Sequence, residues 1–286
     1  MTTPFIGNEA LAAGRLTRHQ LRSRFTAVYP GVYVEAGTQL TARDRAEAAW
    51  LWSKRRGVLA GRSAAAMHRT KWLDPWLPAE ILHDNRHAPE RLLVWTDAVD
   101  DDVRTIDGIA VTTPERTAVD MARRYPFDSA VTAIDALANA TRMNTSDIRQ
   151  LADRYSGRRG IPQARRVLQL VDPGAESPKE SSLRLLVIRH GFPPPETQIA
   201  VHNEYGMLVA VLDMGWRDRK VALDYEGEHH RTPTRFNTDI RRHDEVTSLG
   251  WNDIRVTSLD TEAVVISRLT TAWYGKRVSR ALSPSG

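Results

Sequence analysis

The stretch LVAVLDMGWRDRKVALDYEGEHH, residues 208–230, decides how the last third of the chain is read. Two apolar, β-branched runs flank a short polar segment centred on Arg217 and Asp218, the composition of two strands joined by a tight turn. Pairing about that centre brings Asp213 opposite residues 222 to 224, which makes Asp213 and Asp224 neighbours across the pair. Side chains alternate along a strand, so Asp224 and Glu226 share one face and three carboxylates can converge. Like charges raise one another's pKa, and a divalent cation is an economical counter-charge. The chain has no cysteine, so oxygen and imidazole ligands remain, and Mg²⁺ or Mn²⁺ is the expected ion, able to activate water and stabilise a leaving phosphate oxygen.

Working outward, the stretch sits inside a regular order of elements. A helix SPKESSLRLLVIRHG (177–191) comes first, then a strand ETQIAVH (196–202), the two central strands, a helix within FNTDIRRHDEVTSLG (236–250) and a strand DIRVTS (253–258). The order is αβββαβ, followed by a last helix over 261–275. Each polar residue carries two readings. Glu180 stands three after Ser177, with Pro178 between them, so it is either a helix-borne member of the acid site or the partner in a capping box. Arg255 on the last strand is the alternative partner for Asp224. His229 and His230 are either a solvated loop or a proton carrier, His230 being the preferred one of the pair. Arg242 either faces phosphate or belongs to a mutually paired helix surface.

The N-terminal segment reads differently. A short apolar helix ends at Gly14, Thr17 caps a basic helix running to about Arg24, and TAVYPGVYVEAG alternates around Pro30-Gly31 as a hairpin does. Helix, turn, basic helix and wing are the order of a winged helix-turn-helix, whose second helix can enter the DNA major groove. Residues 1–57 hold nine Lys/Arg against four Asp/Glu, a surplus equal to the +5 of the whole chain. That favours a polyanionic partner, while a solvated basic surface or a protein-docking module fits the charge as well. Further along, Thr41 caps a helix, and VLAGRSAAAMHRTKWLD reads as a helical hairpin capped at Ser63. Short strands follow from Pro75 to about Thr113, and Thr113-Pro114 opens a long helical stretch.

These elements predict an α/β and α+β multidomain protein. Residues 1–74 form the winged-helix domain, 75–172 a small sheet with connecting helices, 173–276 the αβββαβ domain and 277–286 a tail. No apolar run is long enough for a membrane span and no secretory signal is legible, so the expected location is the cytoplasm.

Two resemblances add to this reading. The stretch LDYEGEHH, with Glu180, Asp213 and Asp224-Tyr225-Glu226 at matching places, resembles the very-short-patch-repair-like branch of the PD-(D/E)XK nucleases across about 177–258. The resemblance implies a restriction-endonuclease-like domain and a Mg²⁺- or Mn²⁺-dependent DNA endonuclease. Asp213, Asp224 and the Tyr225 carbonyl would bind metal, and Glu180, Glu226 and His230 would stand with Asp213 and Asp224 in the catalytic set. Glu226 occupies the position where that family carries a lysine, and Lys220 is the nearest replacement. ALAAGRLTRHQLRSR, YPGVYVEAG, RSAAAMH and VTTPERTAVDMARR resemble AbiEi-type antitoxins over roughly residues 5–125. That likeness implies operator binding by Arg18, Arg22 and Arg24, and a toxin partner. The leading expectation is therefore an endonuclease acting on double-stranded or structured DNA, with Arg242 also on the nucleic acid. The alternative is a non-catalytic DNA-binding regulator or antitoxin with a degenerate nuclease fold. Palindrome reading by a helix-turn-helix would call for a homodimer.

Overall fold

A computed structural model describes residues 3–99, 101–227 and 242–281, with side chains to residue 275. The chain forms two compact units, residues 1–173 and 174–286.

The first unit begins with β1 (Phe5–Ile6), α1 (Gly7–Ala12), α2 (Arg18–Arg24), β2 (Phe25–Tyr29) and β3 (Val32–Glu35). The strands form a sheet in the order β1-β3-β2. Gly31 turns the β2–β3 hairpin at φ +82°, a conformation open to glycine at little cost. Next come α3 (Ala42–Trp52), β4 (Val58–Leu59), α4 (Gly61–Met67), β5 (Ala79–Leu82), β6 (Leu92–Trp95), β7 (Val103–Ile106) and β8 (Ile109–Thr112).

The expected boundary at residue 74 is not a boundary. β4, from the N-terminal side, lies in the middle of a five-stranded sheet ordered β6-β5-β4-β8-β7, antiparallel to β5 and parallel to β8. One hydrophobic core joins Tyr29, Val32 and Ala49 to Ile81 and Val111. The helical hairpin expected over VLAGRSAAAMHRT is corrected likewise to a strand and one helix. Ser63 is not a cap: it lies within α4, where its Oγ accepts the Glu80 N–H at 2.8 Å. Thr17, Thr41 and Thr113 do cap their helices.

Four helices complete the unit: α5 (Pro114–Arg124), α6 (Phe127–Thr141), α7 (Thr145–Arg154) and α8 (Ile161–Gln169). A buried ion pair within α5 is linked through the residue that ends α7 to the segment before β7. Arg116 Nε donates to Asp120 Oδ2 at 2.7 Å and Arg116 Nη1 to the Tyr155 hydroxyl at 2.5 Å, and that hydroxyl donates to Asp102 Oδ2 at 2.6 Å. A guanidinium with no solvent access is tolerable only with its hydrogen bonds satisfied in this way.

The second unit contains α9 (Pro178–Arg189), β9 (Glu196–His202), β10 (Leu208–Trp216), β11 (Val221–Glu226), α10 over 242–248, β12 (Asn252–Thr257) and α11 (Glu262–Ala281). The sheet runs β12-β11-β10-β9, with β11 and β12 parallel and the other pairs antiparallel. The neighbours Ala222 and Leu223 belong to different cores, so both faces are covered. Leu223 packs with Leu183, Val187 and Leu269, and Ala222 with Val246 and Trp251. Leu212 and Met214, two apart on β10, also fall in different cores, so the strand loses its regular alternation at Asp213.

Candidate functional site

In the N-terminal segment, α2 is held at its start by reciprocal bonds. The Thr17 N–H donates to Gln20 Oε1 at 2.8 Å, and the Gln20 N–H to Thr17 Oγ1 at 3.2 Å. Leu21 is buried beneath the helix, while Arg18, Arg22 and Arg24 are exposed. Arg18 and Arg22 stand one turn apart, as two cations directed at one backbone would. The structure therefore brings the three expected arginines together on one short solvent-facing element.

In the second unit, the turn after β10 sets the register Met214↔Leu223, which aligns Asp213 with Asp224 at the next position. There the side chains take over from the backbone ladder. The Asp213 N–H donates to Asp224 Oδ1 at 2.8 Å, and the Tyr225 N–H donates to Asp213 Oδ2 at 2.7 Å. On the neighbouring strand β9, opposite Asp213, Gln198 holds φ +51°, an unusual backbone for a non-glycine strand residue and a local cost that the acid pair accompanies. Burial pushes the Asp213 carboxyl up to about 6, with Glu180 and Glu176 adding repulsion against the Tyr225 hydrogen bond and the Arg242 charge. Burial pushes Asp224 up to about 7, reinforced by Asp253 and Asp213. Arg242 Nη2 lies 3.7 Å from Asp224 Oδ2 and donates to the Val211 carbonyl at 2.5 Å.

The other expected residues are placed as follows. Both oxygens of Glu180 are engaged at the start of α9: Ser177 Oγ donates to Oε1 at 2.8 Å and the Glu176 N–H to Oε2 at 2.9 Å. Its charge reaches Asp213, but its lone pairs serve the helix end. Glu226 pairs with Arg255 Nη1 at 2.7 Å. Arg255, aligned with Asp224 in the β11–β12 register, thus turns to Glu226 instead. Lys220 Nζ donates to the Leu249 carbonyl at 2.8 Å, away from the acids. His229 and His230 lie outside the described residues.

Asp253 escaped the sequence reading. Its carboxylate is buried at the start of β12, with Oδ2 lying 3.2 Å from His243 Nδ1 and 3.7 Å from Arg255 Nε. Oδ1 is buried with no hydrogen-bond partner among the described residues. The signal available in the sequence was an acid opening the strand DIRVTS beside an acidic strand.

Among the described residues, this set does not by itself complete a divalent-cation site. Asp213 and Asp224 each retain one oxygen outside their mutual bonds, and the Tyr225 carbonyl is a third donor by type, but Glu180 and Glu226 are taken. Among the described residues no group of three or more His, Asp or Glu is arranged to hold a metal ion. Nor is any described helix long and apolar enough to cross a membrane.

Comparison with known proteins places one segment. Residues 78–170 match the family described as AbiEi antitoxin C-terminal domain. The match lies in the middle of the chain and runs from β5 to the end of α8, not over residues 5–125 as expected from the short motifs. Uncharacterized proteins from two strains of Mycobacterium tuberculosis are each 35% identical over 155 residues, covering 54% of this chain. The aligned region spans 57% of the length of those relatives. No solved structure matches the chain.

Proposed function

We propose that the chain is a DNA-binding component of a toxin–antitoxin system. The observation that carries this reading is the antitoxin-type segment at 78–170, preceded in the same compact unit by two short helices and a hairpin that expose Arg18, Arg22 and Arg24. In this reading α2 enters the major groove of operator DNA, the arginines neutralise phosphates, and a second copy occupies the other half of a palindrome. The middle segment supports recognition of a toxin. The test is a mobility-shift titration with DNA from upstream of its own gene, at several salt concentrations. Replacing Arg18, Arg22 and Arg24 with Glu is expected to abolish the shift, and an unchanged affinity in that variant overturns the operator role. Restored growth on co-expression with the product of a neighbouring toxic gene tests the antitoxin role.

A second reading is a DNA endonuclease in the second unit, favoured by three part-buried or buried carboxylates, with Asp213 and Asp253 both close enough to Asp224 to raise its carboxyl. Mg²⁺ or Mn²⁺ would supply an activated water there. Because the described donors do not complete a metal set, no catalytic step is derived. Supercoiled, linear and single-stranded DNA and RNA, incubated with either ion and with chelator, decide it. Metal-dependent cutting that Asp213→Asn and Asp224→Asn abolish supports it, and no cutting of any substrate rejects it.

A further inference from the structure

The first unit contains a cavity of about 560 Å³ that neither reading uses. Its charged lining consists of Arg62, Arg123, Arg124, Arg159, Glu80 and Asp97, four guanidiniums against two carboxylates. The pairs inside it are built from buried parts. The Glu80 side chain is only 1% exposed and that of Arg123 only 4%. Glu80 Oε1 takes Arg62 Nη1 at 3.0 Å, while Oε2 accepts the Arg62 N–H at 2.5 Å and the Tyr125 hydroxyl. This clamp lays the Arg62 guanidinium over the Tyr125 ring, 4.1 Å from its centroid. Arg123 Nη1 is held by Asp97 at 3.2 Å and by Asp120 at 3.0 Å, and its Nε donates to the Arg159 carbonyl at 2.9 Å. Arg124 pairs with Asp97 and lies over the Trp95 ring, 4.3 Å from its centroid. Arg159 is exposed and forms no ion pair among the described residues.

Two helices begin at the same cavity. Pro126, which lines it, is the N-cap of the 15-residue α6, and Gly160, next to the lining residue Arg159, is the N-cap of α8. Neither helix start has a side-chain cap hydrogen bond, and only α6 carries a first-turn acid, Asp128, so the start of α8 adds a positive dipole end beside the guanidiniums. Leu93, Trp95 and Pro126 supply an apolar wall to the same space. Leu93 is a strand residue left 45% exposed there. The volume is within the range of small-molecule sites and far exceeds what a bare phosphate fills.

We propose that this cavity binds a nucleoside phosphate, its phosphoryl group held by Arg159, Arg124 and Arg62 and its planar base against Leu93 and Pro126. The arginines give planar, bidentate recognition of phosphate oxygens. Asp97 and Glu80 hold the guanidiniums in place before the ligand arrives, which limits the ordering lost on binding.

Isothermal titration of the full chain with AMP, ATP, adenosine and inorganic phosphate tests this. AMP or ATP is expected to bind, inorganic phosphate to bind more weakly, and adenosine not at all. Arg159→Glu alters an exposed side chain and is expected to weaken nucleotide binding by about tenfold or more at an unchanged melting temperature. Arg124→Gln is expected to weaken it too, and Arg22→Glu on α2 to leave it unchanged. The proposal is overturned if neither nucleotide binds at millimolar concentration, or if Arg159→Glu and Arg124→Gln both bind as the parent does. It is overturned as well if adenosine or inorganic phosphate binds as tightly as AMP.

Discussion

Asp224 is the residue at which sequence pattern and physical cost meet most directly. Its carboxyl is raised from 3.8 to about 7, and that of Asp213 from 3.8 to about 6. Both groups give up protons more readily unfolded than folded, so the folded state binds more protons between these values. Stability from the pair is complete below about pH 4 and is lost as pH rises through about 6 to 7. Asp224→Asn keeps the Oδ1 acceptor for the Asp213 N–H and removes the buried charge. In chelator, it is expected to raise unfolding free energy at pH 8 by roughly 1–3 kcal/mol and at pH 5 by about a third as much, because the loss sets in once pH passes the unfolded value of 3.8. Urea melts at the two pH values check this, and a loss of stability at pH 8 would contradict it. Glycines allow a second comparison. Gly61 has φ +50°, and a Cβ there would meet Glu80 and Trp95, whereas Gly108 has φ +79° and open space. Gly61→Ala is expected to cost about 3 kcal/mol and Gly108→Ala about 1 kcal/mol, read from the same melts. The Asp213–Asp224 alignment was legible because a short turn fixes an antiparallel register. Asp253 was not, because β12 pairs in parallel after a long connection, and nothing local announces which strand it will join.

At the scale of elements, what the sequence made readable was local chemistry. Thr17, Thr41, Thr113 and Ser177 each meet a partner three residues on, and all four cap their helices. Ser63 offers the same side chain but loses it to a strand seventeen residues away through the Glu80 N–H, a competition that no local pattern reveals. Glu180 shows the converse: its capping geometry was readable, and it is the geometry that occupies both of its oxygens. For α2 the cap has a functional consequence, since a seven-residue helix carries three arginines from one fixed end. Thr17→Ala is expected to cost about 1 kcal/mol of stability and to weaken operator binding by fraying the helix start. Each single Arg→Glu at 18, 22 or 24 that removes a phosphate contact should lower the slope of log K against log salt by about 0.9. A slope unchanged in all three variants would place the DNA elsewhere.

At the scale of the molecule, the lesson lies in the two-residue strand β4. The change from helical to short strand patterns near Pro75 suggested a domain edge, yet Val58 pairs with Leu82 and Leu59 with both Ile81 and Val111. So short a strand has almost no periodic signal, and its place between β5 and β8 is decided by burial: Leu59 is wholly inaccessible to solvent. A fragment ending at residue 74 would carry β4 without its neighbours, leaving its backbone groups unpaired and the shared core open. A fragment of residues 1–173 keeps the whole sheet, the core and helices α5 to α8. The expected outcome is that 1–173 expresses as a monodisperse protein with cooperative thermal unfolding, while 1–74 is insoluble or lacks a cooperative transition. Circular dichroism melts and size-exclusion chromatography of the two fragments read this directly. A cooperatively folded 1–74 fragment would show that the N-terminal segment does not need the five-stranded sheet. The same experiment bears on function, because operator binding retained by 1–173 would assign DNA recognition to the first unit without any contribution from the carboxylates of the second.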